Sequence, residues 1–187
     1  MLTLSPAVDG YVEAGLRALL EDIRPQIAVS ILSFPDMRYL LAWSCNPGLS
    51  DGITLMVGGQ RQLMALSGLL CPKQVVFLDN SMSLDQVRSY LRYRLEWLSH
   101  RDLGDAPSTR YSIRLSDDEL AVACRLLLGL PGERGSKRDS QLKLRLMQKV
   151  GAGDRASLLV RLRLLFWLDR RYLCQEPEFE NIRRSVA

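Results

Sequence analysis

The feature that most constrains this chain is a change of hydrophobic rhythm near residue 100. Before it, short β-rich runs alternate with helical ones. Val12, Leu16, Leu19, Leu20 and Ile23 recur at helical spacing, acids Asp9 and Glu13 suit the positive end of a helix dipole, and Pro25 ends the segment. Ile27–Leu32 is a β-rich run closed by Phe34-Pro35, and Met37–Trp43 is a second apolar run of strand length. The helix expected between those two runs is missing or reduced to one turn. Asn46-Pro47-Gly48 and Asp51-Gly52 are turn signals, Ile53–Val57 reads as a strand, and Gly58-Gly59 breaks it. A helix over Gln60–Leu70 ends before Pro72, and Val75–Leu78 is another strand. Ser83 with Gln86 three residues on is a capping-box start for a helix reaching about Ser99. Strands and helices in alternation make parallel pairs joined by crossovers, so residues 1–100 predict an α/β layer fold.

Residues 101–112 are polar, contain Gly104 and Pro107, and read as a linker. Beyond them every signal is helical. Ser116 with Glu119 caps a helix that stops at Gly129. Leu130–Gly135 is a loop, a basic helix covers about Asp139–Val150, and Gly151-Ala152-Gly153 turns the chain. A last helix runs from about Arg155 to Leu173. Its residues Leu158, Leu159, Leu162, Leu165, Phe166 and Tyr172 form a broad apolar face, suited to packing within its own domain. Residues 113–175 thus form a small all-α domain, and residues 176–187, broken by Pro177, form a tail.

Charge follows the same division. Residues 1–100 carry 8 basic and 9 acidic side chains, and residues 101–187 carry 17 and 12. Within Arg134–Arg171 the count is 11 basic against 3 acidic. A basic helical segment on a near-neutral body is the electrostatic footprint of a nucleic-acid partner, although a charged helix face is more often only a solvated surface. On Asp139–Val150, Leu142, Leu146 and Val150 make an apolar stripe with Met147 beside it. Lys137 and Arg138 just before the helix and Lys149 within it supply candidate phosphate contacts, and Gln141, Lys143 or Arg145 candidate base-edge contacts. Leu144 sits where a polar contact is expected.

Other chemistries find little support. The four cysteines, Cys45, Cys71, Cys124 and Cys174, form no CxxC pair, which argues for a reducing cytoplasm and against a zinc site or disulfide framework. With His100 as the single imidazole, no Ser or Cys has a ready general base, so an enzyme is not expected. Residues 129–137, GLPGERGSK, fail the phosphate-loop pattern because Ser136 follows Gly135 and a helix precedes them. Tyr90, Tyr93 and Trp97 share one helical face, as a packing stripe does. No signal peptide is expected, and Leu158–Leu168 is too short and too charged to span a bilayer.

Several segments together resemble LuxR-type response regulators, which join a receiver domain to a helix-turn-helix domain. Pro6–Glu21, PAVDGYVEAGLRALLE, is similar to the start of the receiver. Leu40–Gly52, LLAWSCNPGLSDG, resembles the phosphoacceptor strand and the turn after it. Gln74–Arg94 resembles the last strand and helix of the receiver. Ser116–Gly129 looks like the first helix of the DNA-binding domain, and Met147–Leu159 resembles the end of the recognition helix and the turn into the fourth. The resemblance implies a flavodoxin-like receiver at 1–100 and a helix-turn-helix domain at 113–175, and for the apolar face of the last helix a dimer contact, weighed equally with packing inside its own domain.

The departures from that pattern are specific. Ala7 and Val8 stand where the family has its acidic pair, Trp43 or Ser44 where it has the phosphoacceptor aspartate, Gly58 at the switch Ser/Thr, and Asp79 or Asn80 at the lysine. Phosphoryl transfer needs a carboxylate nucleophile and acids to hold Mg²⁺, so a pseudo-receiver without aspartyl phosphorylation is predicted. Between Gly129 and Gly151 the chain is also about seven residues shorter than the family pattern, at the expense of the scaffold helix. The expected function is a cytoplasmic bacterial transcription regulator that binds promoter DNA, without cofactor or metal, as a homodimer or with another regulator. The alternative is an interaction module that has lost DNA binding and heterodimerises with another regulator.

Overall fold

The computed structural model describes residues 10–25, 27–50, 52–99, 113–131 and 136–168. Among them are three strands and seven helices, in a mixed α/β arrangement. Ala7, Val8, His100, Tyr172, Cys174, the linker at 101–112 and the tail at 176–187 lie outside the described residues. Contacts between Cα atoms divide the chain into two compact units, one of residues 1–40 and 48–109, the other of residues 41–47 and 110–187.

The first unit is built on strands β1 (Val29–Phe34), β2 (Ile53–Gly58) and β3 (Val75–Asp79). They are parallel, in the order β1-β2-β3, with Val29 beside Ile53 and Thr54 beside Val75. Every residue of β2 is buried, as a central parallel strand covered on both faces requires. Its alternation sends Ile53, Leu55 and Val57 to one face. There they join Ile31, Val76 and Leu78 in a core with Leu16, Leu19 and Leu20 of helix α1 (Gly10–Ile23) and with Leu91, Leu95 and Leu98 of helix α4 (Leu84–Ser99). The capping box expected at the start of α4 is present: the Ser83 amide donates to Gln86 Oε1 at 2.8 Å, and the Gln86 amide to Ser83 Oγ at 3.4 Å. Helix α3 (Gln60–Leu66) is shorter than the expected Gln60–Leu70, because the chain turns through Gly68 in the left-handed region.

One expected strand is a helix. Met37–Trp43 lies within helix α2 (Met37–Cys45). The cause is the residue before it: the Asp36 carboxylate accepts from the Arg38 amide at 2.7 Å and the Tyr39 amide at 3.3 Å, satisfying the first orphan donors of a helix. A short apolar run has the same composition whether it is a buried strand or one face of a short helix, and here the cap decides. The crossover between β1 and β2 is therefore α2 itself. The position assigned to the phosphoacceptor, Trp43 or Ser44, sits on this helix, and Ser44 is buried. A flavodoxin-like sheet reverses its strand order at a switch point. The three described strands run in sequence order with no reversal.

The second unit holds helices α5 (Asp117–Leu127), α6 (Lys137–Val150) and α7 (Arg155–Leu168). Val122 and Ala123 of α5, Leu146 and Val150 of α6, and Leu158, Leu162, Leu165 and Phe166 of α7 share one core. Each helix has a built start. Ser116 and Glu119 form a complete capping box, Ser136 accepts from the Asp139 amide, and Asp154 exchanges hydrogen bonds with Ser157. Helix α6 ends at Gly151, at φ 71°, ψ 34°.

Candidate nucleic-acid interface

Helix α6 turns its apolar stripe inward, with Leu146 and Val150 buried and Leu142 and Met147 half-buried. The periodicity of 3.6 residues then fixes the outward face. Lys137, Gln141, Leu144 and Gln148 follow one another along its centre, and Arg145 flanks them. All five are exposed.

The six residues expected to contact DNA separate into two groups. Arg138 and Lys149 are held by acids of α5: Arg138 Nη2 lies 2.8 Å from Asp118 Oδ2, and Lys149 Nζ lies 2.6 Å from Glu119 Oε2. A third pair, Arg125 with Asp139, takes up the only acid of α6. The side chains of Lys137, Gln141, Lys143 and Arg145 make no hydrogen bond or ion pair among the described residues. Of these, Lys143 is half-buried at the edge of the apolar stripe, away from Arg145 and from the centre of the outer face. The outer face thus brings together Lys137, Gln141 and Arg145, adds Gln148 and Leu144, and leaves Lys143 aside. It carries two cations, two amides and no carboxylate of its own helix.

The acidic first turn of α5, Asp117, Asp118 and Glu119, explains the pairing. These acids stabilise the N-terminus of α5, and two of them, Asp118 and Glu119, pair with α6 cations. Glu119 is 8% exposed. Burial pushes its carboxyl up, but hydrogen bonds from Lys149 and Ser116 and the Lys149 charge outweigh this and hold it below its ordinary value.

Helix-turn-helix geometry needs two helices joined by a turn of three or four residues. Residues 151–154 form such a turn between α6 and α7, whereas residues 128–136 separate α5 from α6. The second helix of the short-turn pair is not free to enter a groove. In α7, Leu158, Val160, Leu162, Leu164, Leu165 and Phe166 are all buried. Buried Arg161 donates through Nε to the Val150 carbonyl at the end of α6. Arg163 Nη1, in the same unit, donates to the Leu41 carbonyl at 2.9 Å. Groove contact can therefore come from α6 but not from the buried faces of α7.

At the C-terminal edge of the sheet, the Asp36 carboxylate caps α2 and the Asp79 carboxylate is used by a local turn. Asp79 accepts from the Ser81 hydroxyl at 2.7 Å and the Ser81 amide at 2.8 Å, which hold its carboxyl below the usual range. Among the described residues, no three His, Cys, Asp or Glu side chains are grouped as a metal ion would need. No described helix is long and apolar enough to cross a membrane.

No family model, curated protein or solved structure matches this chain.

Proposed function

We propose that this protein is a transcription regulator that binds promoter DNA through the outer face of α6. One observation carries the reading: Lys137, Gln141, Arg145 and Gln148 line one exposed helical face, while the acids near the helix are engaged by Arg125, Arg138 and Lys149. Such a face offers hydrogen-bond donors and positive charge without repelling phosphate. The likeness to LuxR-type regulators supports a receiver-like first unit, a helix-turn-helix ancestry for the second, dimeric binding, and a bacterial cytoplasmic setting. Regulation is by amount, partner or ligand. The reading assigns no role to aspartyl phosphorylation, which Gly58 at the end of β2, Asp36 as the cap of α2 and Asp79 in the bonds to Ser81 support.

The test is fluorescence anisotropy of the full chain on promoter duplexes across a salt series. The two cations of that face, Lys137 and Arg145, predict a log–log slope of roughly −2. Lys137→Glu with Arg145→Glu abolishes binding while the far-UV spectrum stays unchanged. Salt-independent binding, or no binding at low salt, refutes the reading. Incubation with acetyl phosphate and Mg²⁺ leaves the first unit unmodified; a stoichiometric aspartyl phosphate there refutes that part.

Leu144, 59% exposed in the middle of the same face, favours a second reading. There α6 meets another regulator rather than DNA, and regulation survives in the charge-reversed variant.

A further inference from the structure

The outer face of α6 has a chemistry more specific than positive charge. We infer that it reads A·T base pairs in the major groove, with Gln141 and Gln148 on adenine, Leu144 on a thymine methyl between them, and Lys137 and Arg145 on flanking phosphates. This inference rests on the DNA-binding reading above.

Each glutamine amide carries one donor side and one acceptor side. Adenine presents the complement in the major groove, an N7 acceptor beside an N6 donor. Gln141 and Gln148 stand two helical turns apart on one line, roughly 10 Å along the axis. At 3.4 Å per base-pair step, that separation spans roughly three steps. Between them the face offers Leu144, an exposed aliphatic group with no polar atom to satisfy a base edge. Of the four bases only thymine displays a methyl group there. The helix supplies no free carboxylate to accept from the cytosine amino group, because Asp139 pairs with Arg125. Lys137 opens the helix and Arg145 lies to one side of the line, where the phosphate strands bound the groove.

The experiment uses the full chain and four 20-base-pair duplexes at one salt concentration. The first alternates A and T, the second alternates G and C. The third replaces adenine in the first with 7-deazaadenine, and the fourth replaces its thymine with uracil. The A·T duplex is expected to bind at least tenfold tighter than the G·C duplex. Removing N7 or the thymine methyl weakens it severalfold each, since a well-placed bidentate contact discriminates by roughly five- to a hundredfold. Gln141→Ala with Gln148→Ala removes the preference and retains salt-dependent binding. Equal affinity for all four duplexes overturns this inference and leaves the DNA-binding reading standing. An A·T preference that survives both base replacements also overturns it, because the protein then reads the minor groove. No binding to any duplex at low salt overturns both.

Discussion

Glu119 joins two helices and closes a cap with one carboxylate, so its removal has a calculable cost. Its Oε2 accepts from the Ser116 amide at 2.8 Å and from Lys149 Nζ at 2.6 Å. Glu119→Ala deletes both bonds but keeps the Ser116 hydroxyl on the residue-119 amide. Loss of the bond to the Ser116 amide costs about 1 kcal/mol. The Lys149 side chain is 36% exposed, so its charge returns partly to water, and that loss adds at most about 1 kcal/mol. The total is about 2 kcal/mol. Glu119→Gln keeps a neutral acceptor for the Ser116 amide and costs about half as much. The carboxyl is depressed in the folded protein, so its stabilisation is fully present above the unfolded value of 4.5 and fades as pH falls below it toward the folded value. Urea titrations followed at 222 nm, at pH 7 and pH 3, measure both effects. Amide exchange on α5 and α6 confirms that the loss is local to the second unit. Equal urea midpoints for wild type and Glu119→Ala at pH 7 refute the reasoning. So does a gap between them that is undiminished at pH 3.

Four other perturbations probe the frame. Gly52→Ala places a Cβ 2.1 Å from the Ala28 carbonyl oxygen, which accepts from the Ile53 amide, and costs about 3 kcal/mol by thermal melt. Gly151→Ala forces an L side chain to φ 71° beside Arg161 and lowers stability by about 1 kcal/mol in the same assay. Arg161→Met leaves the buried end of α6 without its donor and costs about 2 kcal/mol, read as faster amide exchange at the C-terminus of α6. Leu55→Ala, fully buried on the central strand, costs about 3 kcal/mol in urea and leaves the helical second unit's exchange pattern intact.

The local signals were readable because they depend on near neighbours. Ser83 with Gln86 and Ser116 with Glu119 both form the caps their spacing implies. The strands at Ile53 and Val75 lie within a residue of their expected ends. Met37–Trp43 has a length that fits a strand or a short helix, and the deciding atom belongs to Asp36, just outside the run. At the candidate interface, the inward stripe of α6 was legible from periodicity, and so was the outward side of Gln141 and Arg145. The neutralisation of Arg138 and Lys149 was not. Their partners, Asp118 and Glu119, lie on the preceding helix, and no local pattern announces a pairing across a loop. Nor does the sequence mark α7 as buried on nearly all sides, although its apolar residues pass well beyond a single stripe.

The sequential order of the strands has a kinetic consequence. Each parallel pair, β1 with β2 and β2 with β3, closes a segment of roughly two dozen residues, and closure entropy grows only with the logarithm of length. Neither pairing has to wait for a distant part of the chain. A sheet with a reversed order must hold one strand aside until a later one arrives, exposing an edge meanwhile. Here each strand can dock as soon as the previous crossover has formed. The sheet can therefore zip up in the direction of synthesis, each new strand covering the edge that the last one left open.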